Sequence, residues 1–219
     1  MKNFTKLFLA VVALFAYSCV TDTTEDLGVK FGGQTEITLS LEESRTQLGA
    51  KAEGVYPLYW SEGDAIAVNG IASAALTAQQ AGSDKATFAV DGALTAPYCI
   101  AYPAAPAGQV LFADKQVHTS NSTFGSGVAT MYAYAEDGLG VSLNHLTGVL
   151  KIGVTGADKL TFAQISTADR APIAGAFALN FESGELEATA SASSIINYSF
   201  GEGVQLSGDA TYIHVAVPA

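Results

Sequence analysis

The sequence predicts an all-β protein of antiparallel β-sandwich layers, and three observations carry that prediction. First, strand-length stretches with a period of two recur along the chain. In "TEITLSLEES" (35–44), Ile37, Leu39 and Leu41 alternate with Glu36, Thr38, Ser40 and Glu42, as in a strand with one buried face. Second, such stretches are separated by Gly, Pro, Asp, Asn or Ser, the residues that close turns. Third, charged residues make up only 14% of the chain while Gly, Ala, Ser and Thr are abundant, which suits an extracellular β protein with many turns better than a helical cytosolic enzyme. Antiparallel layers follow because their strands alternate faces, whereas strands covered on both sides in α/β folds do not.

In chain order, Lys2 and Lys6 precede the uncharged apolar run "LFLAVVALFAY" (7–17), too short for the roughly 20 residues of a spanning helix. Residues 1–18 therefore read as a secretory signal peptide. Residues 19–34, "CVTDTTEDLGVKFGGQ", have no periodicity and read as a flexible tether. After the strand at 35–44, further strands are expected in "VYPLYW", "DAIAVNG", "KATFAV", "APYCIAYP", "VSLNHL", "GVLKIGV", "AGAFALNF", "ELEATA" and "TYIHVAV". Asp91-Gly92 and Ser183-Gly184 are hairpin-type turns, and only "ALTAQQAGSDK" could carry a short helical turn. No repeat of solenoid or propeller length is present.

Charge narrows the partners. The whole chain has a net charge of -11, and without Lys2 and Lys6 it retains 8 basic against 21 acidic residues, a net of -13. Nucleic acid is excluded as a partner, because phosphate binding needs clustered Lys and Arg. Anionic membrane surfaces are disfavoured by the same repulsion, which leaves a lipid anchor as the way to stay at a membrane. The cysteines bear on this. Ala16 and Ser18 before Cys19 fit a cleavage site and resemble a bacterial lipobox, in which the cysteine is acylated and becomes the first mature residue, so Cys19 is the expected lipidation site. If Cys19 carries lipid, Cys99 is a lone buried thiol acting as a small hydrophobe. If it does not, a Cys19–Cys99 disulfide is open to it in an oxidising compartment.

Individual residues have structural readings. Gly63-Asp64 is a turn in which Gly takes positive φ and Asp bonds local backbone. Trp60 beside it is a large core plug. Pro103 ends a strand because it cannot donate to a ladder. His145, between Leu143 and Leu146, reads as a hydrogen-bonded packing residue.

Several stretches in order resemble the fimbrillin and Mfa-like (FimA-type) surface lipoproteins of Bacteroidetes: Arg45-Thr46, "YWSEGDAIAV" (with Trp60, Gly63 and Asp64), "CIAYPAA" (with Tyr102 and Pro103), "LNHLTGVLKI" (with His145), "IAGAFALNFESGELEAT" and "YIHVAVP". The resemblance covers nearly the whole chain from Glu36. It implies a transthyretin-like β-sandwich fold in two domains, here 35–147 and the start of a second, incomplete one at 148–219. It implies a lipid-anchored protein of the outer membrane and cell surface, held by outer-membrane lipid through Cys19, that serves as a structural or adhesive pilus subunit or accessory. Its partners would be other pilus subunits, joined by donor-strand exchange after a protease removes an N-terminal strand. Arg45 is the matching position for that cut, or else a polar strand residue of an accessory lipoprotein that does not polymerise, and Arg170 is the chain's other arginine. Asp22 to Thr24 resembles the short O-glycosylation signal of Bacteroidetes.

Enzymatic signatures are absent: there is no P-loop, Gly-x-Ser-x-Gly elbow or complete Gly-x-Gly-x-x-Gly, and "GEGVQLSG" is a turn. His118, His145 and His214 are far apart in sequence, so no metal and no cofactor is expected. The pairs Glu25-Asp26, Glu42-Glu43 and Glu136-Asp137 are solvated surface, since neighbours on a strand point to opposite faces. The alternative function is a glycan-binding lipoprotein of nutrient capture, which would need Tyr56, Tyr59, Tyr132 and Tyr134 exposed as a stacking platform.

Overall fold

The computed structural model describes residues 30–31, 33–41, 59–121 and 123–219. Among them are eighteen strands and no helix. The first nine are β1 (Lys30–Phe31), β2 (Gln34–Ser40), β3 (Ala67–Val68), β4 (Ile71–Ala72), β5 (Lys85–Asp91), β6 (Tyr98–Tyr102), β7 (Gln109–Phe112), β8 (Lys115–Ser120) and β9 (Thr123–Phe124). The rest are β10 (Met131–Ala135), β11 (Val141–Ser142), β12 (Asn144–His145), β13 (Thr147–Val154), β14 (Lys159–Ser166), β15 (Ala174–Leu179), β16 (Leu186–Ser193), β17 (Ile195–Gln205) and β18 (Thr211–Pro218).

The fold is all-β, as expected, and most pairings are antiparallel; β2 with β11 and β8 with β17 are parallel. Its first half is layered around a five-stranded sheet in the order β12-β10-β6-β3-β4. One face of that sheet meets β2 and β5 across a core of Ile37, Leu39, Phe88, Val90, Ile100, Tyr102 and Met131. The opposite face, with Ala101, Tyr132 and Tyr134, meets the three-stranded sheet β16-β15-β7 through Val110, Phe112, Phe177 and Leu179. This explains why "YCIAY" and "MYAYA" lack the polar alternation of β2: both of their faces are covered. A third core, of Ile196, Tyr198, Phe200, Ile213 and Val215, lies between the β13-β18 pair and the sheet β14-β17-β8-β9.

Local expectations fared unevenly. Lys30–Phe31, placed in the tether, instead pairs with Gln34 and Thr35 across a turn at Gly33. Ser183-Gly184 does lie in a hairpin loop, between β15 and β16, with Gly184 at φ +77°. Asp91-Gly92 does not join paired strands: β5 pairs with β2, and the Gly92 N–H donates to the Gly33 carbonyl. The two-residue hairpin is Asn69-Gly70, where φ of +51° and +81° connect Val68 to its partner Ile71. Two consecutive positive φ values are what a type I′ turn requires. The stretch "ALTAQQAGSDK" forms turns, with Ala81 N–H bonded to the Thr77 carbonyl, and no helix. His145 is exposed on β12, not packed inside, while its neighbours are buried in two different cores, Leu143 with Ile37 and Met131 and Leu146 with Val110 and Phe177.

The expected boundary between residues 147 and 148 falls at the start of β13, and backbone pairing crosses it. β7 pairs with β15, and β8 with β17. Hairpin-range patterns in a sequence carry no trace of such long-range partners. In β13 and β14, each at the edge of its sheet beside β18 and β17, several apolar side chains stay exposed, among them Val149, Leu150, Ile152 and Phe162.

Candidate functional site

The feature closest to a site is strand β2 in its groove. The period of two sends Thr35, Ile37, Leu39 and, just past the strand, Leu41 inward, while Gln34, Glu36 and Thr38 face out. Ile37 and Leu39 are completely buried and Leu41 nearly so. Burying three such side chains contributes roughly 5–9 kcal/mol, at about 1.5–3 kcal/mol each. One edge of β2 is laddered to β5 over its full length, from Gln34 opposite Asp91 to Ser40 opposite Lys85. The other edge is shared by β1 and β11, so β2 is an interior strand. Outside, Thr38 and Thr87 hydroxyls meet at 2.9 Å, and the Gln34 amide donates to Asp91 at 2.7 Å. Taking β2 away would leave a slot of strand length with bare backbone on β5 and an apolar floor, costly to leave unpaired.

Beside this slot sits a polar clamp. Gly63, at φ +88°, closes a turn in which the Asp64 carboxylate accepts the Ser61 N–H at 2.7 Å and the Tyr102 hydroxyl at 2.7 Å. Trp60 is buried between Phe88 and Tyr102, edge to face with both at centroid distances of 4.9 and 5.3 Å. Trp60 is thus the core plug expected, and β6 ends at Tyr102 just before Pro103. Burial raises the Asp64 carboxyl above its ordinary value, and the bonds from Ser61 and Tyr102 hold part of that rise back. Burial first, and the neighbouring Asp64 second, push the Tyr102 phenol well above its usual range. The clamp joins two sequence stretches that were read separately. Nothing in either one names the other as its partner.

Cys99 is a free, half-buried thiol on β6, raised by burial and by Glu182. The tyrosines divide. Tyr59 is exposed. Tyr132 and Tyr134 are half-buried in the second core, Tyr132 edge-on to Phe181 and Tyr134 donating to Glu182 at 3.2 Å. Their inward neighbours Met131 and Ala133 are fully buried, so β10 turns its rings toward the β15–β16 loop. Glu136 and Asp137 are exposed after β10. Among the described residues no three His, Cys, Asp or Glu side chains group as metal ligands. His118 and His214, far apart in sequence, are brought together on β8 and β18. Cys19, Arg45, Tyr56, residues 1–18, Asp22 to Thr24 and the pairs Glu25-Asp26 and Glu42-Glu43 lie outside the described residues. Comparison with protein-family models, with curated proteins and with solved structures yields no match to this chain.

Proposed function

We propose that the protein is a structural or adhesive subunit of the bacterial cell surface, anchored by lipid on Cys19, in which β2 is an exchangeable strand. The observation that supports this reading is the seating of β2: an interior strand whose inward residues Ile37, Leu39 and Leu41 are buried, four positions before Arg45. A strand held by its own ladder and apolar pockets is the form in which one copy can replace another. The half-buried, core-packed state of Tyr132 and Tyr134 gives a sugar-stacking platform less support.

The test is one cut. Arg170 sits exposed in a turn at φ +59°, so the Arg170→Lys protein leaves Arg45 as the single arginine. An arginine-specific protease should then release the segment carrying β2. The cut protein is expected to lose thermal stability or to form ladders of oligomers on gels without boiling. A clipped monomer of undiminished stability would overturn the proposal.

A further inference from the structure

β18 is stitched to β8 by side chains in place of a backbone ladder. The N–H of Ala216 donates to the Gln116 Oε1 at 2.9 Å, and the Gln116 Nε2 donates to the Ala216 carbonyl at 2.8 Å. Four residues earlier in β18, the Tyr212 N–H donates to the Asn121 Oδ1 at 3.3 Å. Backbone groups alternate sides along an antiparallel strand, so 212, 214 and 216 all direct theirs away from β13 and toward this seam. At the midpoint the His214 backbone amide faces the Tyr198 hydroxyl of β17 instead of a side chain of β8. His118 and His214 occupy that midpoint, and the Nδ1 of each is buried with no partner.

The surroundings favour neutral imidazoles. The His118 ring rests against Phe200 at 5.1 Å and Tyr198 at 6.4 Å. From β13 the facing charged group is Lys151, which pairs with His214 and holds its ammonium 4.0 Å from the Tyr212 ring centre. From β17 the facing groups are Tyr198 and Phe200, neither charged at neutral pH. From β8 and β18 they are the two histidines themselves. Lys115 and Val117 lie on the opposite face of β8 and are exposed. Burial lowers both histidines from their ordinary value, and for His214 Lys151 and then His118 add to the effect.

We propose that the β8–β18 seam is an acid-sensitive latch: protonation of His118 and His214 places two imidazolium charges beside Lys151 in an apolar joint, parts the seam and frees the outer edge of β18. The sign follows from linkage. Above about 6.5 both histidines are neutral in the folded and unfolded chain alike, and the seam has its full stability. As pH falls below that value the open form takes up protons first, so closure weakens as pH falls through the lowered folded values.

Hydrogen exchange read by mass spectrometry at pH 7.5 and 5.5, corrected for intrinsic rates, tests this. Protection of 211–218 should fall at pH 5.5, by at most about tenfold for each histidine because 5.5 lies one pH unit below 6.5, while 34–40 keeps its protection. The doubly substituted His118→Gln, His214→Gln protein should hold 211–218 equally at both pH values. Equal protection in the unsubstituted protein, a uniform loss across the chain, or the same loss in the double variant would overturn the latch. If the double variant does not fold, NMR titration of the unsubstituted protein decides: imidazole midpoints below 6.5 that coincide with lost protection of the Tyr212 and Ala216 amides support the latch, and ordinary midpoints, or lowered ones with those amides unchanged, refute it.

Discussion

Replacing Trp60 by alanine should cost about 3–5 kcal/mol, the range for deleting a buried aromatic and leaving its cavity. The side chain is 1% exposed, and its edge contacts with Phe88 and Tyr102 add about 0.5–1.5 kcal/mol each beyond burial. One quantity opposes these. The indole Nε1 is buried without an acceptor, a desolvation cost of about 1–3 kcal/mol that the folded chain already carries. Trp60→Phe removes that donor while keeping a ring against both neighbours, so its net cost should be about 1 kcal/mol or less, the lost area and lost penalty nearly cancelling. Trp60 is the chain's single tryptophan, so tryptophan fluorescence disappears with it and unfolding is followed by far-UV circular dichroism in urea. The expected order of midpoints is unsubstituted, Phe and then, far below, Ala, with an unchanged slope. An alanine variant within about 0.5 kcal/mol of the parent, as for a surface change, would refute the burial argument. A phenylalanine variant as unstable as the alanine one would refute the claim that the indole N–H is a penalty.

The Asp64 clamp has a pH signature. Its folded value is raised above 3.8, so as pH rises past 3.8 the unfolded chain ionises first and the stability contributed by protonated Asp64 declines until pH exceeds the folded value. The stability difference between the parent and Asp64→Asn should therefore shift against the parent across that window in urea titrations. A difference that is flat with pH would show the carboxyl to be unperturbed, and one that moves in the parent's favour would show its value to be lowered instead of raised. On the proposed lipid anchor, Cys19→Ala should move the protein from the detergent phase to the aqueous phase on phase separation, because a single acylated cysteine would supply the attachment. Unchanged partitioning would sink the lipid anchor.

What the sequence by itself determined is whatever a few consecutive residues can encode. The alternation of Ile37, Leu39 and Leu41 specified a strand and its buried face, since a period of two leaves those side chains no other common side. Pro103 after Tyr102 specified where β6 stops, and Gly63-Asp64 specified a turn. Asn69-Gly70, which was not among the hairpin turns expected, carries a local type I′ signal, and Asp91-Gly92 carries a similar one with a different outcome. The difference between them is tertiary: Val68 finds Ile71 across its turn, whereas β5 is already engaged by β2 when the chain passes Gly92.

Partner choice belongs to the tertiary structure throughout, because strand pairing depends on which surfaces are left to bury and not on the pairing residues alone. That is why β7 and β8 cross residue 148 to reach β15 and β17, and why β10, with apolar residues on both faces, becomes part of a middle layer. It is also why Asp64 meets Tyr102, Gln116 takes the place of a ladder for Ala216, and His118 comes to lie by His214. Each of those side chains is unremarkable in its own stretch. Their chemistry arises where packing removes water and leaves a polar group only the neighbours the fold has brought to it.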